Sequence, residues 1–196
     1  MQQIDNIKAR PDNMDKDLLI HWLNRYNDEE DFYNKGDEER LGEKFRQNSF
    51  IEKRDLVEVL KWKFQGRLKG RQIRLERLVD EMDEDYIKDV SALAFKSKDD
   101  QLKLKLLSTI DGIGLSVATV ILSFYDPQNY GIIDIHSWRG LFNEKEPNDI
   151  FTNTKKVILF FDSLRYLSKE YNLSCRDIEK AYFVADKSNN VSLRET

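Results

Sequence analysis

The sequence predicts an all-α fold, organised as an orthogonal helical domain. Apolar residues recur at intervals of three and four, which is the period of an amphipathic helix, and the alternation typical of strands is scarce. Only three prolines and eight glycines interrupt these patterns. A chain of 196 residues, of which 40% are hydrophobic, is long enough to bury a helical core. We therefore expect a single helical domain over residues 1–196.

Five N-terminal helices are predicted within residues 14–97. The first places Leu18, Leu19, Trp22, Leu23 and Tyr26 on one face, and the second follows the break at Gly36. The third and fourth show the same apolar spacing. Asp83 is a suitable N-cap for the fifth because its side chain can accept a hydrogen bond from a first-turn amide. The predicted ranges are 14–27, 37–47, 53–64, 71–80 and 84–97.

Two further helices, 99–110 and 115–125, are predicted to form a hairpin around a Gly-Ile-Gly segment. Pro127 and Gly131 then mark a loop, and a short helix over 135–142 follows it. The hairpin, loop and short helix make up residues 99–142, which contain the candidate site.

A C-terminal pair of helices is predicted within residues 147–187, after the break at Pro147. The pair covers 153–171 and 175–187, and Ser174 with Asp177 matches a capping box at the start of the second helix. Residues 188–196 are polar, and we expect them to be frayed.

The hairpin turn is a candidate phosphate-binding site. Gly112 and Gly114 allow backbone conformations that a Cβ would penalise, so the chain can reverse within a few residues. We expect the amides of Ile113, Gly114 and Leu115 to lack intrahelical partners at the start of the second helix. Together with the helix dipole and the neighbouring Ser116, these donors would seat a phosphate of a nucleic-acid backbone.

Two segments resemble the helix-hairpin-helix (HhH-GPD) superfamily of base-excision DNA glycosylases. In that family a segment like L-P-G-V-G-x-K-T-A is followed by a loop and then by V-D-T-H. Residues 110–118 read IDGIGLSVA, and residues 133–136 read IDIH. The resemblance implies a DNA-glycosylase-like helical fold, DNA as the partner, and Asp134 in the position of the catalytic aspartate.

Asp134 has two interpretations. A carboxylate beside a deoxyribose could stabilise the positive charge that develops as an N-glycosidic bond breaks, and it could orient or deprotonate the attacking water. Such an enzyme would rotate the base out of the stack and would need a backbone anchor close to the acid. Alternatively, Asp134 caps the helix predicted over 135–142. The two roles are compatible.

The chain departs from the lyase-competent members of the family at two points. Ser116 occupies the position of their lysine nucleophile, so any catalysis should be monofunctional and leave an abasic site without strand scission. Cys175 is the only cysteine, which excludes their four-cysteine iron–sulfur cluster. No metal site is expected from the two separated histidines. By resemblance alone, backbone carbonyls of the hairpin could hold a sodium or potassium ion.

Further candidate DNA contacts lie in a basic run and at two tryptophans and a histidine. Residues 61–77 are strongly basic and include Lys63 and Arg67, whereas residues 80–85 read DEMDED; both runs could equally be ordinary solvated helix faces. Trp62 and Trp138 could stack on bases, although core packing is the favoured interpretation. For His136 we favour a hydrogen bond that ties the loop to the hairpin.

Charge and hydropathy give information about the partners and the location of the protein. The net charge of −4 counts against a protein that binds nucleic acid through overall charge alone. No apolar run reaches the length needed to span a bilayer, and a secretory signal is not evident, so we expect a cytoplasmic protein without a membrane partner. The alternative to a glycosylase is a non-catalytic helix-hairpin-helix module that binds nucleic acid or another protein.

Overall fold

A computed structural model describes residues 14–28, 35–64, 69–145 and 147–192. Within these ranges the chain forms ten α-helices and no strand, so the all-α prediction is confirmed. The helices are α1 (Lys16–Asp28), α2 (Lys35–Asn48), α3 (Lys53–Phe64), α4 (Lys69–Glu81), α5 (Glu84–Lys96), α6 (Asp100–Leu107), α7 (Leu115–Tyr125), α8 (Ile135–Phe142), α9 (Thr154–Tyr171) and α10 (Cys175–Ser192).

The chain divides into two compact units, which we name for their place in the sequence. The central unit is Tyr33–Asp126 and contains α2 to α7. The terminal unit combines both ends of the chain, up to Phe32 and from Pro127 onward, and contains α1 and α8 to α10. The single helical domain expected over residues 1–196 stays a prediction.

Two predicted boundaries need correction. The first hairpin helix ends at Leu107 rather than at residue 110, because the chain already turns over residues 108–114. The polar segment expected to be frayed is helical as far as Ser192, since α10 continues through residues 188–192. Residues 193–196 lie outside the described part of the chain.

In the central unit, α2 and α7 approach closely at Gly42. A Cβ on this residue would lie 2.4 Å from the carbonyl oxygen of Phe124, so only glycine fits here. One turn later in α2, Arg46 donates from Nη1 to the carbonyl oxygens of Phe124 and Tyr125, at 2.8 and 3.1 Å. The guanidinium thus satisfies carbonyls at the C-terminus of α7, where the helix dipole favours a cation.

In the terminal unit, α10 packs against α1, α8 and α9. Its contact with α8 is close, because a Cβ on Gly140 would lie 2.5 Å from the carbonyl oxygen of Tyr182. The start of α10 is bound to the loop between α7 and α8, since the amides of Cys175 and Arg176 donate to the carbonyls of Gln128 and Pro127. The predicted cap at Ser174 is confirmed, because its hydroxyl accepts from the Asp177 amide at 3.0 Å; the same hydroxyl donates to Oδ2 of Asp177 at 2.6 Å.

None of the helices in the described ranges has the length and apolar character required to cross a membrane.

Substitution of Gly140 by alanine should destabilise the protein. The new methyl group would meet α10 backbone that cannot move alone, so we expect a loss of about 1–3 kcal/mol in the free energy of unfolding measured with urea. Gly70→Ala is the matched control, because a Cβ there has open space and alanine has the higher helix propensity. Equal stability of both variants would contradict the close packing of α8 on α10.

Tyr182 should make the protein sensitive to alkaline pH. The side chain is buried, its hydroxyl has no hydrogen-bond partner among the described residues, and burial raises the pKa of the phenol above its ordinary value. Because the pKa of Tyr182 is higher in the folded than in the unfolded chain, the stability that its neutral phenol contributes is fully present below about pH 10. That stability is lost as the pH rises further.

Tyr182→Phe should therefore change the free energy of unfolding little at pH 7. Between pH 7 and about pH 11, this free energy should fall by about 1.4 kcal/mol less in the variant than in the wild type. Tyr171→Phe provides the comparison, because the hydroxyl of Tyr171 donates to the carbonyl of Met14 at 3.0 Å and its removal should cost about 0.5–1.5 kcal/mol at neutral pH. Urea unfolding across this pH range measures both. Parallel alkaline losses in wild type and Tyr182→Phe would show that Tyr182 is not the responsible group.

Candidate functional site

The hairpin turn depends on Gly112. This residue has φ +87°, a left-handed conformation that favours glycine. A Cβ built on it would also lie 3.3 Å from the carbonyl oxygen of Leu75 in α4. The turn is therefore seated directly on the backbone of α4, which leaves little room for a side chain at this position.

The amides of the turn do not all have the role expected of them. The Ile113 amide donates to the carbonyl of Ile110 at 3.0 Å, so the expectation that it is available for a phosphate is corrected. The side chain of Ile113 is buried, which holds the turn in place.

The backbone amides of Gly114 and Leu115 are available, as the sequence predicts. Their amides form no hydrogen bond with the residues that the structure describes, and they lie at the N-terminus of α7, where Gly114 is the N-cap residue. Gly114 is exposed, and apart from its chain neighbours no atom of the described residues lies within 4 Å of the position that its Cβ would occupy. Ser116 follows in the first turn of α7 and is half-buried.

Asp134 caps α8, which confirms the structural role considered for it. Its Oδ1 accepts a 2.8 Å hydrogen bond from the His136 amide, and its own amide donates to the Ser137 hydroxyl at 3.0 Å. The residue is half-buried. The side chain also accepts a hydrogen bond from the Ser137 amide, which completes a capping box. The carboxylate is thus held by two amides of the first turn of α8.

The loop before Asp134 is held by the core. Ile132 and Ile133 are buried, and the amide of Ile132 donates to Oε2 of Glu179 in α10 at 3.3 Å. A Cβ on Gly131 would lie only 2.5 Å from Cδ1 of Leu164, so α9 closes over the loop at this glycine. The backbone direction at Asp134 is therefore fixed by contacts with α9 and α10.

His136 bonds to α10, and the expectation that its side chain ties the loop to the hairpin is corrected. Its Nδ1 lies 2.8 Å from Oδ2 of Asp186, and its ring packs edge-on against Phe183. Asp186 was not predicted from the sequence, because it is 50 residues from His136 and belongs to no recognisable motif.

Both tryptophans proposed as tentative DNA contacts are core residues instead. Trp138 is fully buried, stacks near Phe160, and donates from Nε1 to Oε2 of Glu144 at 2.6 Å. Trp62 is 9% exposed and packs edge-on against Phe124, with 4.9 Å between the ring centroids. A buried ring has no face on which a base could stack, so the core interpretation holds for both.

The basic run is exposed along α4. Lys69, Arg71, Arg74 and Arg77 are exposed, and Lys63 at the end of α3 is half-buried. Arg67 lies outside the described residues.

The candidate residues belong to different units of the chain. Gly112 to Ser116 lie in the central unit, whereas Asp134 and His136 lie in the terminal unit, and each group is described within its own unit. Among the residues that are described, no group of three or more His, Cys, Asp or Glu side chains could hold a metal ion.

No protein-family model, curated protein or solved structure matches this chain.

Proposed function

We propose that this protein binds DNA and hydrolyses an N-glycosidic bond, with Asp134 stabilising the cationic sugar. In this reaction a water oxygen bonds to C1′ of the deoxyribose and the base leaves with the electron pair of the broken bond. The proposal rests on the resemblance of residues 110–118 and 133–136 to the helix-hairpin-helix DNA glycosylases. The observation that supports it best is the fixed orientation of the Asp134 carboxylate.

Asp134 has the features that such a role requires. The amides of His136 and Ser137 both donate to its side chain, which orients the carboxylate. The half-buried position would let the negative charge act through a medium of lower dielectric than bulk water. An oriented carboxylate needs no rearrangement when positive charge develops on a sugar placed beside it.

The N-terminus of α7 supports DNA binding. The amides of Gly114 and Leu115 and the positive end of the helix dipole favour an anion, and the open space at Gly114 would admit a phosphate. These donors act on the backbone and carry no information about base sequence.

Ser116 makes the proposed reaction a simple hydrolysis. A hydroxyl cannot form the imine with C1′ that an amine nucleophile forms, so the product would be an abasic site in an intact strand. The iron–sulfur cluster is excluded by the cysteine count. A monovalent cation at the hairpin stays a prediction; of the turn carbonyls, those of Ile110 and Gly114 accept amide hydrogen bonds.

A non-catalytic DNA-binding or protein-interaction module is the second candidate. The observations that favour it are that Asp134 already has a structural role as a helix cap and that the Ile113 amide is used within the turn. Such a module would bind DNA or a protein partner without releasing a base.

Asp134→Asn should abolish base release and leave folding and DNA binding intact. Asparagine caps helices as well as aspartate does, so the substitution removes the charge while keeping an acceptor for the His136 amide. We expect the excision rate to fall by at least about 100-fold, as for other removed electrostatic groups. The measurement is alkali cleavage of abasic sites after incubation with a panel of damaged duplexes.

Asp83→Asn is the matched control, since Asp83 is the N-cap of α5 and accepts from the Tyr86 amide at 2.9 Å. It removes one carboxylate from a cap elsewhere and should leave excision unchanged. Base release by Asp134→Asn at the wild-type rate would exclude Asp134 from the chemistry. Binding without any release by the wild type, over the whole panel, would favour the non-catalytic candidate.

Borohydride should trap no covalent complex between the wild-type protein and damaged or abasic DNA. Trapping requires an imine, and Ser116 supplies no amine at the position where the lyase-competent members of the family that the chain resembles have lysine. Denaturing gel electrophoresis of the reduced mixture provides the measurement, and a lyase of known activity provides the positive control. A shifted protein–DNA band would show that another amine acts as a nucleophile.

A further inference from the structure

Helices α5 and α6 form an antiparallel hairpin within the central unit. A short connection over residues 97–99 joins them, and the Ser97 hydroxyl accepts from the Asp99 amide in it at 3.1 Å. At the other end, the hydroxyl of Tyr86 near the start of α5 donates to Oγ1 of Thr109, just beyond α6, at 2.9 Å. The two helices therefore lie side by side and run in opposite directions.

The outer face of this hairpin carries exposed apolar side chains. Of the eight large apolar side chains that are exposed in the described ranges, three belong to this one hairpin: Tyr86, Leu93 and Leu102, which are 41%, 56% and 46% exposed. Tyr86 and Leu93 are two turns apart and share one face of α5. Because Leu102 precedes Thr109 by the same interval, the two leucines lie at the same level. We call Tyr86, Leu93 and Leu102 the α5–α6 apolar face; contiguous patches of this kind mark interaction sites.

Two opposite charges flank Leu93 along α5. Asp89 lies one turn before it and Lys96 lies one turn after it, and both are exposed. They are about 10.5 Å apart along the helix, so they share a face but are too distant to pair with each other. The ion pair formed within α5 is the one between Lys88 and Glu84. Within the described ranges, neither Asp89 nor Lys96 forms an ion pair.

The helix dipole explains only one of these two charges. It acts within the first and last turns of a helix, so it favours Lys96 at the end of α5. Asp89 lies beyond the first turn and gains nothing from it. A partner for Asp89 must therefore come from another molecule.

The spacing of the charges is self-complementary. A two-fold axis through the level of Leu93 would bring two copies of α5 together in antiparallel orientation. Asp89 of each copy then lies opposite Lys96 of the other, and by symmetry both ion pairs form at once. The apolar face of each copy is covered by that of the other. A second copy of this chain thus matches both the apolar surface and the charges beside it.

We propose that the protein forms a two-fold symmetric dimer in which the α5–α6 apolar faces meet and α5 runs antiparallel to its copy. This inference goes beyond the proposed function and does not depend on it. The hairpin face is about 20 Å long and two helix diameters, about 20 Å, wide, so the contact covers on the order of 400 Å² of each copy. A contact of that size is typical of weak complexes, so we expect dimers at a protein concentration on the order of 100 μM.

Sedimentation equilibrium of the full chain over about 10 μM to 1 mM tests the interface. Leu93→Glu places two like charges near the symmetry axis and should leave the protein monomeric throughout. Asp89→Lys and Lys96→Glu, made separately, each set like charges opposite each other at both symmetric sites. Either one should weaken self-association by about tenfold or more. The substituted positions are exposed, and far-UV circular dichroism checks that the helices are intact.

A mixture of the two charge variants tests the antiparallel arrangement. In a mixed dimer the introduced lysine of one variant faces the introduced glutamate of the other, and the remaining Lys96 and Asp89 face each other as in the wild type. The equimolar mixture should therefore associate at least as tightly as the wild type, although neither variant associates alone. A fluorescent label on one variant identifies the mixed species.

A matched control separates this pairing from the attraction between proteins of opposite net charge. Lys155→Glu and Asp162→Lys reverse the same kinds of charge at exposed positions of α9, with the same spacing of two turns. At about 150 mM salt, each of these variants and their mixture should associate as the wild type does.

Each outcome bears on the proposed dimer. Loss of association in the single variants and its recovery in the mixture would support it. A wild type that stays monomeric up to about 1 mM would overturn it and assign the apolar face to a different partner. Dimers that form equally well with Leu93→Glu would place the interface elsewhere, and failure of the mixture to recover would overturn the antiparallel arrangement. None of these results alters the test of base release.

Discussion

The geometry of the terminal unit depends on a buried ion pair within α10. Arg176 and Glu179 contact each other while almost fully buried, and both reach beyond their own helix. Glu179 accepts from the Ile132 amide, and Arg176 donates to the hydroxyl of Tyr26 in α1 at 3.2 Å. One pair thus holds the loop before Asp134 and the N-terminal helix on the same scaffold. Removing either partner would leave a buried charge without its counter-ion. This would destabilise the fold far more than replacing the pair by apolar residues of similar volume.

Close backbone approaches make this scaffold specific. Gly131 and Gly140 each lie where a Cβ would meet α9 or α10 at about 2.5 Å, and they stand on either side of Asp134 in the sequence. Between them the chain changes from a loop to a helix, and the Asp134 cap marks the change. The carboxylate is therefore positioned by close contacts and a helix cap that also stabilise the fold. A scaffold of this kind can orient a reactive group without additional contacts to it.

Most helices were predictable from sequence because their apolar residues repeat at helical spacing. The caps at Asp83 and Ser174 were predictable for the same local reason, since each needs only residues within one turn. The partner of His136 was not, because Asp186 reaches it through tertiary packing of α8 on α10. Nor was the use of the Ile113 amide, which depends on the tightness of the turn after Leu107. Local chemistry could be inferred from the sequence, whereas the contacts that aim each side chain required the fold.

The cap and the proposed catalytic role of Asp134 depend on each other physically. Hydrogen bonds from the amides of His136 and Ser137 limit rotation of the carboxylate. In the reaction we propose, a carboxylate held in this way acts through its charge without rearranging as positive charge develops on the sugar. The contacts that make Asp134 a cap are therefore the same contacts that would orient it for electrostatic stabilisation.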